Sequence, residues 1–292
     1  MKSTWLMGFG TLVAVAGTAS ASSYTATAPT DDAMIFGTSA GADTGNASGK
    51  GPGMFAGADG MGNIKRSLVK FDITSVPTTS TVSGVTVTLV IGQIAGSGGM
   101  GSGCGTSCTP ASRTFDFYEV DYTNTWGEGD TGLTACNSNT TECASMSGTG
   151  QGWPYASCGG YGAGASCGND VTWKWFDYTS SGEWGNGPSN QDYGTGSFGS
   201  PDYGNHTAAG SWTFDDFLNN NTMTFTSDNV SNNTAWTAVV QDWVTTPAHN
   251  NGMLIRAPAL ESVDTSFIGW WTKDGAYENS MSGYNPTITV TY

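Results

Sequence analysis

Five carboxylates, Asp116, Glu119, Asp121, Glu128 and Asp130, follow one another near the end of a strand-like segment. Paired carboxylates are the working groups of glycosidases, which need two of them ~5–10 Å apart across a cleft with one pKa raised. Order along a chain does not supply that geometry, so solvated charges at a strand edge and its loop are the expectation, and a polysaccharide-cleaving enzyme ranks last among the functional readings. Carboxylate and loop-carbonyl oxygens also suit Ca²⁺, a hard cation that takes six to eight oxygen ligands. Asp31, Asp32 and Asp72 are the candidate ligands for a structural calcium, without any EF-hand-type spacing.

Two other chemical patterns fail on context. Gly37-Thr38-Ser39-Ala40-Gly41 matches a nucleophile elbow, but a loop-like stretch follows it where the elbow requires a helix. Gly96-Ser97-Gly98-Gly99-Met100-Gly101 matches a dinucleotide fingerprint, yet it opens no helix and runs into Cys104, Cys108 and Pro110. The two histidines, His206 and His249, are far apart in polar loops and form no metal or nucleophile pair.

Aromatic residues carry the remaining signal. Trp153, Tyr155, Trp175, Trp184 and Trp212 lie in or beside Gly-rich stretches where no core is obvious. Sugars stack their C–H faces on such rings, while Asn, Asp and Gln bond the hydroxyls. The competing account is that the rings anchor loops. In Thr265–Thr272, alternation puts Trp270 and Trp271 on opposite faces, so at least one is expected to face outward. Trp175, Trp184 and Trp271, followed by Trp153 and Tyr155, are the candidate ligand-binding rings.

All six cysteines, Cys104, Cys108, Cys136, Cys143, Cys158 and Cys167, fall in two Gly/Ser-rich stretches. Their intervals do not match zinc-ligand pairs. Six cysteines allow fifteen disulfide connectivities, and sequence proximity favours Cys104–Cys108, Cys136–Cys143 and Cys158–Cys167, three small rings that limit loop freedom.

The scaffold that must position these groups is legible in two alternating segments. In Lys65–Ile73, Val69, Phe71 and Ile73 share a face while Lys70 and Asp72 point away; in Val82–Ile91, Val85, Val87, Leu89 and Ile91 share a face opposite Thr86, Thr88 and Val90. Further strands are expected at Met34–Gly37, Met54–Ala58, Thr114–Asp121, Met223–Ser227, Gly252–Ala257, Thr265–Thr272 and Thr287–Tyr292. Trp236, Val239, Val240 and Trp243 have helical spacing and predict a two-turn helix stopped by Pro247. Trp126, Trp173 and Trp243 are expected in or at the edge of the core. Gly92–Ser112, Ala135–Asp170 and Trp184–Ser211 read as loops.

Lys2, the apolar run Trp5–Ala16 and the small residues Ala19-Ser20-Ala21 predict a secretory signal peptide over 1–21, followed by one domain over 22–292. No segment approaches the ~20 apolar residues of a membrane span. Twenty-four Asp and Glu against nine Lys and Arg argue against nucleic acid and anionic membranes as partners. Location is therefore expected to be secreted or at the cell surface.

Arg66-Ser67-Leu68-Val69-Lys70-Phe71-Asp72-Ile73, a Ser75-Val76-Pro77 turn and the Val-Thr strand after it resemble the DNRLRE domain family, whose relatives include alginate-binding modules and disaggregatase-related surface proteins. Trp126-Gly127-Glu128-Gly129, Val171-Thr172-Trp173, Val239–Val244, Asn250–Ile255, Ser266-Phe267 and Asn285–Val290 extend the resemblance, in order, over nearly the whole mature chain. The resemblance implies a jelly-roll-like antiparallel β-sandwich with one short helix and long Gly-rich, disulfide-bearing loops. It also implies a non-catalytic carbohydrate-binding or surface-adhesion module with an extracellular glycan or matrix component as partner. Alginate is a polyanion and this chain is poor in basic residues, so a neutral or calcium-bridged glycan is the expected ligand. A structural matrix protein that self-associates is the alternative.

Overall fold

The two alternating segments form opposite walls of one core. In the computed structural model, which describes residues 21–38, 43–48, 53–58, 63–94, 113–120, 122, 125–128, 156–157, 175–177, 182–183, 208–214, 222–227, 233–261, 266–278 and 282–292, Val69, Phe71 and Ile73 are buried, Lys70 is half-buried and Asp72 is exposed. Val85, Val87, Leu89 and Ile91 are likewise buried, with Thr86 and Thr88 half-exposed. Val90, expected on the outward face, is buried too, so that face of the strand is covered at its far end.

The strands are β1 (Ser23–Ala26), β2 (Asp31–Thr38), β3 (Asp43–Ser48), β4 (Gly53–Ala58), β5 (Asn63–Lys70), β6 (Gly84–Ile94), β7 (Arg113–Glu119), β8 (Ala156–Ser157), β9 (Trp175–Asp177), β10 (Gly182–Glu183), β11 (Gly210–Phe214), β12 (Thr222–Thr226), β13 (Met253–Arg256), β14 (Ile268–Trp271) and β15 (Thr287–Thr291). The helices are α1 (Asn233–Thr245) and α2 (Lys273–Glu278). Among the described residues every strand pairing is antiparallel, and the fold is all-β. All nine strands expected from the sequence are present.

One 13-stranded sheet follows the order β1-β15-β6-β14-β4-β5-β13-β7-β11 and curls on itself. The turn of the curl lies where strands change partners. β6 pairs with β15 and β12 over its first part and with β14 at its end. β4 pairs with β14 through Gly53–Ala56 and with β5 through Gly57 and Ala58. Gly57 sits at that switch with φ +117°, and a Cβ there would lie 2.8 Å from the Phe267 backbone, so both conformation and space require glycine.

Between the two halves lies the main core. Phe117 of β7 is at its centre, with ring centroids 4.4 Å from Trp212, 4.7 Å from Phe225 and 6.0 Å from Trp236. Trp212, expected beside a loop, is therefore a core residue: β11 pairs with β7 and turns the ring inward. α1 has 13 residues, longer than the expected two turns, and buries Trp236, Val240, Trp243 and Val244 against this core. A second cluster, Ala33, Ile35, Leu68, Trp126 and Leu254, covers the opposite face of β2, β5 and β13, so this half of the sheet is buried on both sides. Among the described residues no helix is long and apolar enough to cross a membrane.

Candidate functional site

Pairing fixes where the acidic side chains at the start of β2 point. Asp32 stands opposite Val69 of β5 and so shares the core-facing side with Met34, whereas Asp31 stands opposite Lys70 and faces away. Asp32 has no exposed surface. Its Oδ2 accepts the backbone N–H of Lys273 at 2.8 Å, and its own backbone N–H donates to Glu128 Oε2 at 3.2 Å. The Lys273 ammonium donates to Glu128 Oε2 and to the Thr30 carbonyl.

Asp274 completes the group. One carboxylate oxygen from each of Asp32, Glu128 and Asp274 lies within 4.8 Å of the others. The cluster therefore draws on the start of β2, the segment after β7 and the start of α2. Asp32 Oδ1 is buried without a hydrogen-bond partner.

Burial sets the protonation of the group. It pushes the Asp32 carboxyl well above the usual carboxylate range, with Lys273 opposing and Glu128 and Asp274 reinforcing the shift. Burial likewise pushes Glu128 up to about 7, against the stabilising ammonium. For Lys273, burial alone would favour the neutral amine, but Asp32 and Glu128 outweigh it and hold the ammonium above its ordinary pKa. Such groups can hold a proton or a cation. Asp32 is fully enclosed and Glu128 is 8 % exposed, so the pair lacks the open face that a glycosidase needs to approach a sugar ring.

Two other charged groups are tied up internally. Glu261 accepts two hydrogen bonds from Arg66, at 2.8 and 2.7 Å, and two from Arg256, at 3.3 and 2.9 Å. At the surface, His249 pairs with Asp242 at 2.8 Å and stacks on Tyr122 at 4.1 Å.

Of the three calcium candidates, Asp32 joins a carboxylate cluster and the others stand apart. Asp72 is exposed, and its Oδ1 accepts both the backbone N–H and the hydroxyl of Thr74, which lowers its pKa and shapes the turn after β5. Glu128 stood out in the sequence only as one of several acids, and Asp274 did not stand out. The 96 residues from Asp32 to Glu128 and the 241 from Asp32 to Lys273 leave no spacing signal. Of the other acids in the sequence cluster, Asp116 accepts from Ser211, and Glu119 accepts from the Trp243 indole.

Trp271 requires a correction: it is 6 % exposed and cannot serve as an outward ring. Both faces of β14 are covered: Trp270 packs on Phe115, and Trp271 lies 6.1 Å from Tyr284. Trp175 begins β9, which among the described residues pairs only with β10, and Trp175 stands opposite Glu183. Trp153, Tyr155, Trp173, Trp184 and the six cysteines with their expected pairing lie outside the described residues. No protein-family model matches the chain, and no curated protein matches its sequence.

Proposed function

We propose that this is an exported, non-catalytic module that binds a neutral extracellular glycan through aromatic rings carried outside the main sheet. The observation that carries this reading is the β9–β10 ribbon. It brings Trp175 opposite Glu183, which directly precedes Trp184 in the sequence, and among the described residues its strands pair with no strand of the 13-stranded sheet. A tryptophan in register with a glutamate supplies the residue types that stack on sugar rings and accept bonds from hydroxyls, and Trp184, next in the sequence after Glu183, is a second residue of the stacking type. The burial of the Asp32–Glu128 pair weighs against hydrolysis. Membership of the DNRLRE family belongs to this proposal and rests on the ordered motifs alone.

One feature favours a second reading, a matrix protein that self-associates. Thr226, Thr86, Thr289 and Thr25 stand in register across β12, β6, β15 and β1, with Thr224, Thr88 and Thr287 forming the neighbouring row. These rows carry no charge to repel a second copy. A glycan array with and without Ca²⁺, followed by paired affinity and melting measurements on Trp175→Ala and Trp184→Ala, separates the readings. Glycan binding predicts weakened affinity at an almost unchanged melting temperature. Loss of stability without loss of binding, together with concentration-dependent light scattering, favours self-association.

A further inference from the structure

Counted as ionised and among the described residues, the Asp32, Glu128 and Asp274 cluster sets three carboxylates against the ammonium of Lys273, an excess of two negative charges in a largely enclosed site. Like charges held this close out of water repel strongly unless protons or a cation neutralise them. A second observation points to a ligand. Asp32 Oδ1 is enclosed within the protein without a hydrogen-bond partner among the described residues, while the Lys273 ammonium is committed to Glu128 and the Thr30 carbonyl.

We infer that Asp32, Glu128 and Asp274 together bind one divalent cation of the calcium type. The excess charge of two matches such an ion. All three donors are oxygens, which select hard cations over zinc or copper. Oxygens spread over as much as 4.8 Å can share an ion whose bonds are ~2.3–2.6 Å long, whereas the ~2.1 Å bonds of Mg²⁺ demand a tighter cage. The ion would join β2, the segment after β7 and the start of α2, which meet only in the folded chain, so its binding appears as folding stability. This inference goes beyond the glycan reading and does not depend on it.

The test uses the full secreted chain without glycan. Metal content is measured on the purified protein, which is then stripped with EDTA, dialysed, and melted with CaCl₂, MgCl₂ or NaCl at matched ionic strength. Calcium at about a hundred times its Kd should raise the melting temperature by roughly 5–10 °C, with magnesium giving much less. Asp32→Asn and Glu128→Gln should abolish the calcium-dependent rise, and Asp72→Asn should retain it. Because either core variant could fold poorly, calcium titration of the stripped wild-type chain by calorimetry, with one site expected, is the second readout. No bound metal, no heat and an unchanged melting temperature would overturn the inference and leave protons as the neutralising species. A calcium response that survives in Asp32→Asn and Glu128→Gln would also overturn it, by locating the ion elsewhere.

Discussion

Glu261→Gln removes the one carboxylate shared by two guanidinium groups while keeping the shape of the side chain. Arg66 has no exposed side-chain surface, Arg256 has 10 % and Glu261 has 9 %, so little water is available to replace the lost charge. Burial already lowers the pKa of Arg66, and its two bonds to Glu261, at 2.8 and 2.7 Å, are the largest opposing influence. Removing one partner of a buried ion pair costs about 3–5 kcal/mol, because the remaining charge stays enclosed. A melting point that moves by about 2–4 °C per kcal/mol in large domains should therefore fall by roughly 10 °C. Urea unfolding followed by tryptophan fluorescence gives the free energy directly, at low and high salt, since a buried pair is little screened. Asp242→Asn, which breaks the exposed pair with His249, is the control and should cost less than about 1 kcal/mol. If Glu261→Gln costs no more than that control, or its effect vanishes at high salt, the two arginines are solvated and the reasoning fails.

Three further outcomes are expected. Phe71→Ala should cost about 3–5 kcal/mol and Lys70→Ala well under about 1, because the first is in the core and the second half-buried; the reverse order in urea unfolding would put the alternation of this segment on the wrong face. Gly269→Ala should destabilise by about 1–3 kcal/mol, since a Cβ would lie 2.3 Å from the Phe55 ring, which packs edge-on against Phe267; a thermal melt matching wild type would show that the ring can move aside. In EDTA, the folded chain keeps a proton on Glu128 up to about pH 7 that the unfolded chain loses near 4.5, so stability should fall as pH rises through that window, by about 3 kcal/mol. Asp32, also raised, acts in the same direction. Urea titrations at pH 5 and 7.5 check this, and stability that rises with pH would refute it.

The sequence by itself determined the strands, because each records its burial locally. A period of two separates Val85, Val87, Leu89 and Ile91 from Thr86 and Thr88, and that alternation needs no knowledge of what lies across the core. The same parity even puts Lys65 on the side of Val69, and the structure has it there, with its ammonium over the rings of Phe55 and Phe267. α1 announced itself through Trp236, Val240 and Trp243 for the same reason, although the flanking residues that extend it to 13 carried no such period. The pairing of strands was not legible. β14 reads as a strand with two faces, and only the packing of distant residues over each, Phe115 on Trp270 and Tyr284 beside Trp271, decides that both are buried. The acidic cluster lies further from sequence reasoning still. Asp32, Glu128 and Asp274 become neighbours because β2 pairs with β5 and the chain after β14 returns to the start of β2, and the charge they concentrate there arises from long-range pairing that no local spacing encodes.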